Sequence, residues 1–174
     1  NNLQISYFLT NYENLISGYP LALNINESKV SGLEISYKSK LNEKIDLFSS
    51  LTYMKAKNED TGEEFLDRRP EFLGSVILTY TDESFSLGTE LNTKFNTKEK
   101  DWGDWASPTY GTYVEADDYA VVGIFFNYQV TKGFEIHSRI DNVFDEIYYN
   151  HLSRIKSVMP EEGRCLSIQY RLIF

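Results

Sequence analysis

Arg164-Cys165-Leu166-Ser167-Ile168-Gln169-Tyr170-Arg171-Leu172-Ile173-Phe174 is the stretch whose reading decides the fold. Counted back from Phe174, alternate residues are apolar: Leu172, Tyr170, Ile168 and Leu166. Those between them are polar or small (Arg171, Gln169, Ser167, Cys165), with Ile173 the exception. This is the period-two pattern of a strand with one apolar and one wetted face. Terminal residues fray unless something ties them down, so alternation carried to a final aromatic residue predicts a paired strand.

The same pattern recurs upstream. From about residue 3 to 11, Leu3, Ile5, Tyr7 and Leu9 share one face and Gln4, Ser6 and Thr10 the other. Similar segments are predicted over about 30–41, 45–56, 72–81, 119–130 and 134–142. The cleanest covers 85–95, where Phe85, Leu87, Thr89, Leu91, Thr93 and Phe95 carry no charge and Ser86, Gly88, Glu90, Asn92 and Lys94 oppose them. With the terminal strand this makes about eight, each near the ~9–11 residues a tilted strand needs to cross a bilayer. The predicted fold is all-β, an antiparallel transmembrane β-barrel.

Connection lengths supply independent support. Short polar turns fall at Asn42-Glu43-Lys44, Asp82-Glu83-Ser84 and Thr131-Lys132-Gly133. Long loops fall at about 17–29, 57–71, 96–118 and 144–163. Outer-membrane barrels have short periplasmic turns and long outside loops, and the alternation here fits that rule throughout. A Lys or Arg on the lipid face at mid-bilayer costs roughly 2–4 kcal/mol, which explains why the phase is kept so strictly. The charged residues that do enter the apolar phase, Lys55 and Asp118, lie at strand ends, where the penalty fades.

Composition agrees with this reading. Mean hydropathy is −0.40, and the longest apolar runs fall far short of the ~18 residues of a membrane helix. Membrane strands escape that test because their alternation averages out. The net charge of −9 argues against a nucleic-acid partner. The single cysteine, Cys165, excludes an internal disulfide and is read as inert packing. A soluble β-sandwich also alternates, but it needs neither this strand length nor this loop asymmetry.

Four features, taken in order along the chain, resemble TonB-dependent outer-membrane receptors, the group that takes up vitamin B12 and ferric siderophores. Val30-Ser31-Gly32-Leu33-Glu34 is similar to the V-x-G-x-E entry to a late barrel strand. Arg68-Arg69-Pro70 resembles the R-x-P element that opens a descending strand. Asn142-Val143-Phe144-Asp145-Glu146-Ile147-Tyr148-Tyr149 resembles the N-L-F-D-x-x-Y segment before the last outside loop. The terminal strand, through Leu166, Ile168, Tyr170, Leu172 and Phe174, is similar to the signal read by the barrel-assembly machinery.

The resemblance implies that residues 1–174 are the carboxy-terminal portion of a barrel of about twenty-two strands, with the plug domain absent. It implies a Gram-negative outer-membrane location and contact with outer-membrane lipid. In the intact protein it implies two further partners, the TonB energy-coupling complex and a metal-chelate ligand. No enzyme activity, cofactor or resident metal is expected. A free-standing eight-stranded barrel with a structural or adhesive role is the alternative, and it would pair its first strand with its last.

Site candidates follow from phase and loop position. Glu135, His137, Arg139 and Asp141 share the polar face of one strand, so they either line a path and meet a plug or satisfy one another inside a polar lumen; the second is favoured. Trp102, Trp105, Tyr110 and Tyr113 lie on the 96–118 loop and are ligand-contact candidates. The acidic run Asn58-Glu59-Asp60-Thr61-Gly62-Glu63-Glu64 lacks the spacing of a calcium loop and reads as solvated. Asn142 and Asp145 are expected to bond local backbone amides where their strand ends.

Overall fold

Alternating side chains on both sides of an extended chain leave one stable solution, a sheet whose two faces meet different surroundings. The computed structural model describes residues 1–17, 23–62, 69–100, 106, 108, 110–150 and 159–173. The strands are β1 (Asn2–Ser17), β2 (Leu23–Lys40), β3 (Ile45–Asn58), β4 (Arg69–Thr81), β5 (Phe85–Lys100), β6 (Tyr113–Ala116), β7 (Tyr119–Thr131), β8 (Phe134–Asp141) and β9 (Cys165–Leu172). They form one antiparallel sheet in the order β1-β2-β3-β4-β5-β7-β8-β9, and β6 pairs with the outer part of β5. β1 and β9 are the two edges, and among the described residues no ladder joins them. The closure expected of a free-standing eight-stranded barrel is therefore not what this sheet shows.

Register aligns the apolar phase from strand to strand. Tyr7 faces Leu33, Leu33 faces Tyr53, Tyr53 faces Phe72 and Phe72 faces Phe95, making one continuous row. Nearer the short turns, Tyr80 faces Leu87, Leu87 faces Phe126, and Tyr128 faces Ile136, which faces Tyr170. Aromatic contacts mark both borders of this face: Tyr53 and Phe72 at 4.8 Å near one end, Phe85 and Phe126 at 6.0 Å near the other. Two aromatic borders around an apolar band are the arrangement lipid imposes on a barrel wall. The outer-face hydroxyls of Thr89 and Thr93 donate to the carbonyls of Gly123 (3.1 Å) and Gly74 (3.4 Å), so neither asks the surroundings for a partner.

Among the described residues no second layer covers the apolar face. Ile5, Tyr7, Leu166 and Tyr170 are each at least 60% exposed. The buried apolar cluster among the described residues is only Val30 and Ala56, with Phe8 and Met54 packed against it, and it lies on the opposite, inner face. A soluble sandwich would bury its apolar phase between two sheets; this sheet turns it outward. On the inner face, two glycines lie under aromatic rings. Phe8, the direct partner of Gly32, covers it, and Phe125, the partner of Gly88, covers that one. A Cβ at either position would collide with the ring, and at Gly32 also with the Tyr53 carbonyl.

Three details differ from the sequence-based expectation. β1, β2 and β5 run well past their predicted ends; β1 and β2 stay paired out to Ser17 and Leu23. Beyond the apolar band both faces are wet, so alternation disappears although the ladder continues. The predicted 96–118 loop contains a ninth strand, β6, too short to carry a period. Finally, turns are stitched to neighbouring hairpins by backbone bonds: Thr81 to Lys44, Gln129 to Ser84 and Ile173 to Gly133, each 2.8–2.9 Å.

Candidate functional site on the inner face

Phase places Glu135, His137, Arg139 and Asp141 of β8 together on the inner face, as expected from their spacing. Arg139 organises one half of the cluster. Its Nη2 donates to Glu90 Oε2 at 2.8 Å, and its Nε donates to Asp141 Oδ1. Glu90 also accepts from Asn92 Nδ2 at 2.8 Å. Gly123 leaves the space this guanidinium uses, because a Cβ there would stand 3.3 Å from Nη2.

His137 organises the other half. Its Nδ1 lies 2.8 Å from Asn127 Oδ1 and its Nε2 lies 3.3 Å from Glu135 Oε2. Asn127 in turn donates to Ser86 Oγ at 3.0 Å, and Arg171 of β9 reaches Glu135 at 3.6 Å. All these groups are part-exposed, so the pairs give position and polarity more than stability. Each of the four β8 side chains has at least one partner within this network.

Above this network the wall opens into a concavity of about 610 Å³, lined among others by Asn92, Tyr119, Arg139, Asp141, Tyr148 and Glu161. Its outer side is the segment that follows β8. Asn142 is buried and adopts φ 50°; its Oδ1 accepts from the Glu146 amide at 2.8 Å. Its Nδ2 donates to the carbonyls of Glu146 (2.8 Å) and Glu162 (3.3 Å). Asp145, at φ 58°, accepts from the Arg164 amide at 2.7 Å. The expected local bond is thus made by Asn142, whereas Asp145 ties the outgoing chain to the returning one nineteen residues on. The rings of Tyr119 and Tyr148 meet at 4.9 Å. Burial, then the nearby carboxylates led by Glu161, push the Tyr148 phenol above its ordinary pKa, so it stays a neutral donor.

The remaining candidates are dispersed. Trp102 and Trp105 lie outside the described residues, as does Phe174. Tyr110 is exposed, and Tyr113 opens β6 opposite Lys100. Leu166, Ile168, Tyr170 and Leu172 project from the outer face of the edge strand β9, each more than half exposed. Cys165 pairs with Asp141 on the inner phase. The partners Glu90, Asn127 and Arg171 were not singled out from sequence. Their phase was readable, but which strand lies beside which, and in what register, was not. Among the described residues no group of three or more His, Cys, Asp or Glu is placed to hold a metal.

A single meander with apolar rows outside, ion pairs inside, short turns at one end and long connections at the other defines the wall of an outer-membrane-type β-barrel. Residues 1–143 match the family described as TonB dependent receptor-like, beta-barrel, and the chain belongs to that family. The family is one of receptors and transporters, not of enzymes. Over 126 residues, 71% of this chain, it is 29% identical to the ferrienterobactin receptor of Escherichia coli (strain K12). It spans only 17% of that receptor's length.

Among solved structures, the ferripyoverdine receptor of the outer membrane of Pseudomonas aeruginosa matches 98% of the chain with a TM-score of 0.79 at 16% identity, over 24% of its own length. The copper transporter OprC matches 100% of the chain at TM-score 0.79 and 20% identity, over 29% of its own length. At these identities the likeness speaks for the fold alone.

Proposed function

We propose that residues 1–174 form the carboxy-terminal share of the barrel wall of an outer-membrane receptor that imports a ferric chelate. The observation that carries this reading is the match of residues 1–143 to the receptor-barrel family. The similarity to a ferrienterobactin receptor favours a ferric siderophore as ligand over a cobalamin-type chelate. The order of the three internal motifs supports the carboxy-terminal placement, and the span of about a quarter of the matched structures fits a share of the wall and not the whole of it.

In this reading the apolar rows contact outer-membrane lipid in a Gram-negative cell. Leu166, Ile168, Tyr170, Leu172 and Phe174 present the strand read by the barrel-assembly machinery. Glu135, His137, Arg139 and Asp141 form part of the polar wall of the lumen, where a plug domain of the intact receptor is accommodated. Trp102, Trp105, Tyr110 and Tyr113 belong to an outside loop and contribute contacts to the chelate. Energy for import comes through the TonB complex acting on the intact receptor.

Uptake of radio-iron chelates by whole cells under iron limitation tests this. Deleting the gene that carries this segment is expected to remove uptake of at least one ferric siderophore. Removing TonB is expected to stop that uptake while leaving surface binding. Loss of cobalamin uptake with every ferric chelate still imported would overturn the ligand, and no change in either would overturn the receptor.

A further inference from the structure

The concavity above the Arg139 network carries a charge opposite to the one an anionic cargo needs. Among its described lining residues the carboxylates are Asp141, Glu161 and Glu162, and the cation is Arg139. That guanidinium is already matched, because it donates to both Glu90 and Asp141. Lys94 is buried beside Tyr119, its Nζ 5.4 Å from the ring centroid, and stands outside the described lining. Among the described residues neither Glu161 nor Glu162 has an ion-pair partner.

Backbone contacts hold these two glutamates where they are. The Glu161 amide donates to the Tyr148 carbonyl at 2.9 Å. The Glu162 carbonyl accepts from the buried Asn142 side chain at 3.3 Å. The returning side of the 144–163 connection is thus pinned to its outgoing side, and the carboxylates come with it. Tyr148 meets Tyr119 ring to ring at 4.9 Å, so the same corner offers π-faces as well as acids. After burial, Glu161, Asp141 and Glu162 all contribute to raising the Tyr148 pKa, so their fields converge on this spot.

Aromatic faces beside carboxylates that have no cation of their own are the surroundings a protonated amine seeks. A volume of about 610 Å³ suits a small-molecule ligand. We infer that the chelate taken up through this wall carries a protonated primary amine, received by Glu161 and Glu162 against the rings of Tyr119 and Tyr148. The inference rests on the reading of the chain as part of a chelate receptor. It narrows the ligand from ferric chelates at large to those with a cationic arm.

The test uses the receptor that carries this segment, reconstituted in phosphatidylcholine nanodiscs, and matched pairs of ferric chelates. One pair is built on three hydroxamates and one on three catechols. Each pair consists of a chelate ending in a free primary amine and the same chelate with that amine acetylated. Quenching of protein fluorescence reads the Kd of each. The wild type binds the amine member of at least one pair about tenfold more tightly, the low end for a charge-assisted hydrogen bond because the site is part-exposed. Glu161→Gln with Glu162→Gln brings the two members together, and Glu161→Asp with Glu162→Asp restores most of the preference. If the double glutamine variant does not fold, Glu162→Gln alone, at an exposed residue, reads the same ratio with a fall of about threefold.

If no amine member binds more tightly than its acetylated twin, the site is overturned, and the corner is left to a cationic side chain of the plug. A double glutamine variant that weakens both twins equally overturns it too, because that loss reports packing. So does an equal fall in the ratio from Glu43→Gln with Glu83→Gln in the short turns, which would make the effect one of bulk charge. A receptor that imports ferric chelates without any amine preference sinks this site alone. Uptake of every ferric chelate unchanged on deleting the gene sinks the receptor reading as well.

Discussion

Ser75 and Val76 are adjacent on β4 yet belong to different solvents. Val76 faces Ser49 and Leu91 in an exposed apolar row, while Ser75 faces Ser50 and Asn92 on the face that carries the ion pairs. On the outer face, partners are interchangeable: any apolar side chain of suitable size meets the requirement, because what matters is that it is not charged. On the inner face, partners are specific. Arg139 is held by Glu90 and Asp141, and a side chain at Gly123 would crowd its guanidinium. One backbone thus carries a face defined by exclusion and a face defined by pairing, and the two should answer mutation differently.

The largest effect expected is a direct contrast between them. In the reconstituted receptor, Val76→Arg is expected to cost about 2–4 kcal/mol, read by denaturant unfolding in lipid vesicles. Ser75→Arg should cost well under half as much, since its guanidinium enters a polar lumen. Equal costs would mean that the two faces do not meet different solvents.

Next is the outer end of the inner face. Asn142→Ala is expected to lose about 1–3 kcal/mol, because it strips partners from the Glu146 amide and two carbonyls. Hydrogen exchange across 143–150 should rise in step. If exchange there is unchanged, the side chain is not what holds the segment.

Gly32→Ala and Gly88→Ala sharpen the same contrast from within the inner face. Both collide with a ring, but only at Gly32 does the added carbon also meet a backbone carbonyl, that of Tyr53, which cannot rotate away. Gly32→Ala should cost about 1–3 kcal/mol and Gly88→Ala distinctly less, by the same unfolding measurement. A cycle of Glu90→Gln and Arg139→Gln should then give a coupling of about 0.5–1 kcal/mol, modest because both groups are part-exposed.

The smallest effect lies in the short turns, outside the band. Asp82 is held below its ordinary pKa chiefly by the Glu83 amide and then by Lys44, whose Nζ is 3.0 Å away. Lys44 is raised, chiefly by Asp82. The carboxylate's contribution is present above its unfolded pKa and disappears as pH falls through the depressed folded value. The ammonium's is present below its unfolded pKa and disappears as pH rises through the raised one. The pair therefore acts between the acid and alkaline extremes, and Asp82→Asn should flatten the acid arm of a stability-versus-pH curve slightly. An unchanged acid arm would show that the turn gains nothing from the charge.

The outer face was legible before any coordinates because exclusion writes itself into every second residue. Phe85, Leu87, Leu91 and Phe95 declare their phase without reference to a partner. Turn and loop lengths were legible for the same reason, as local properties. The pairing of Glu90 with Arg139 was not, since it depends on β5 and β8 flanking β7 in one register, and β6 intervenes in sequence but not in that order. The extensions of β1 and β2 were hidden because, once both faces are wet, composition no longer alternates. Trp102 and Trp105 fall outside the described residues, so those two loop candidates stand on their sequence position alone.

The meander has a kinetic corollary. Among the described residues, apart from the excursion through β6, each strand's backbone ladder runs to its neighbours in sequence, so the wall can grow by zippering, each finished hairpin templating the next. The same economy transmits mistakes: a one-residue slip at β2–β3 would invert every later strand, presenting Arg139 to hydrocarbon and Leu91 to water. Phe8 over Gly32 and Phe125 over Gly88 are bonds of shape that only one alignment allows. They act as proofreading marks near the start and the middle of the ribbon.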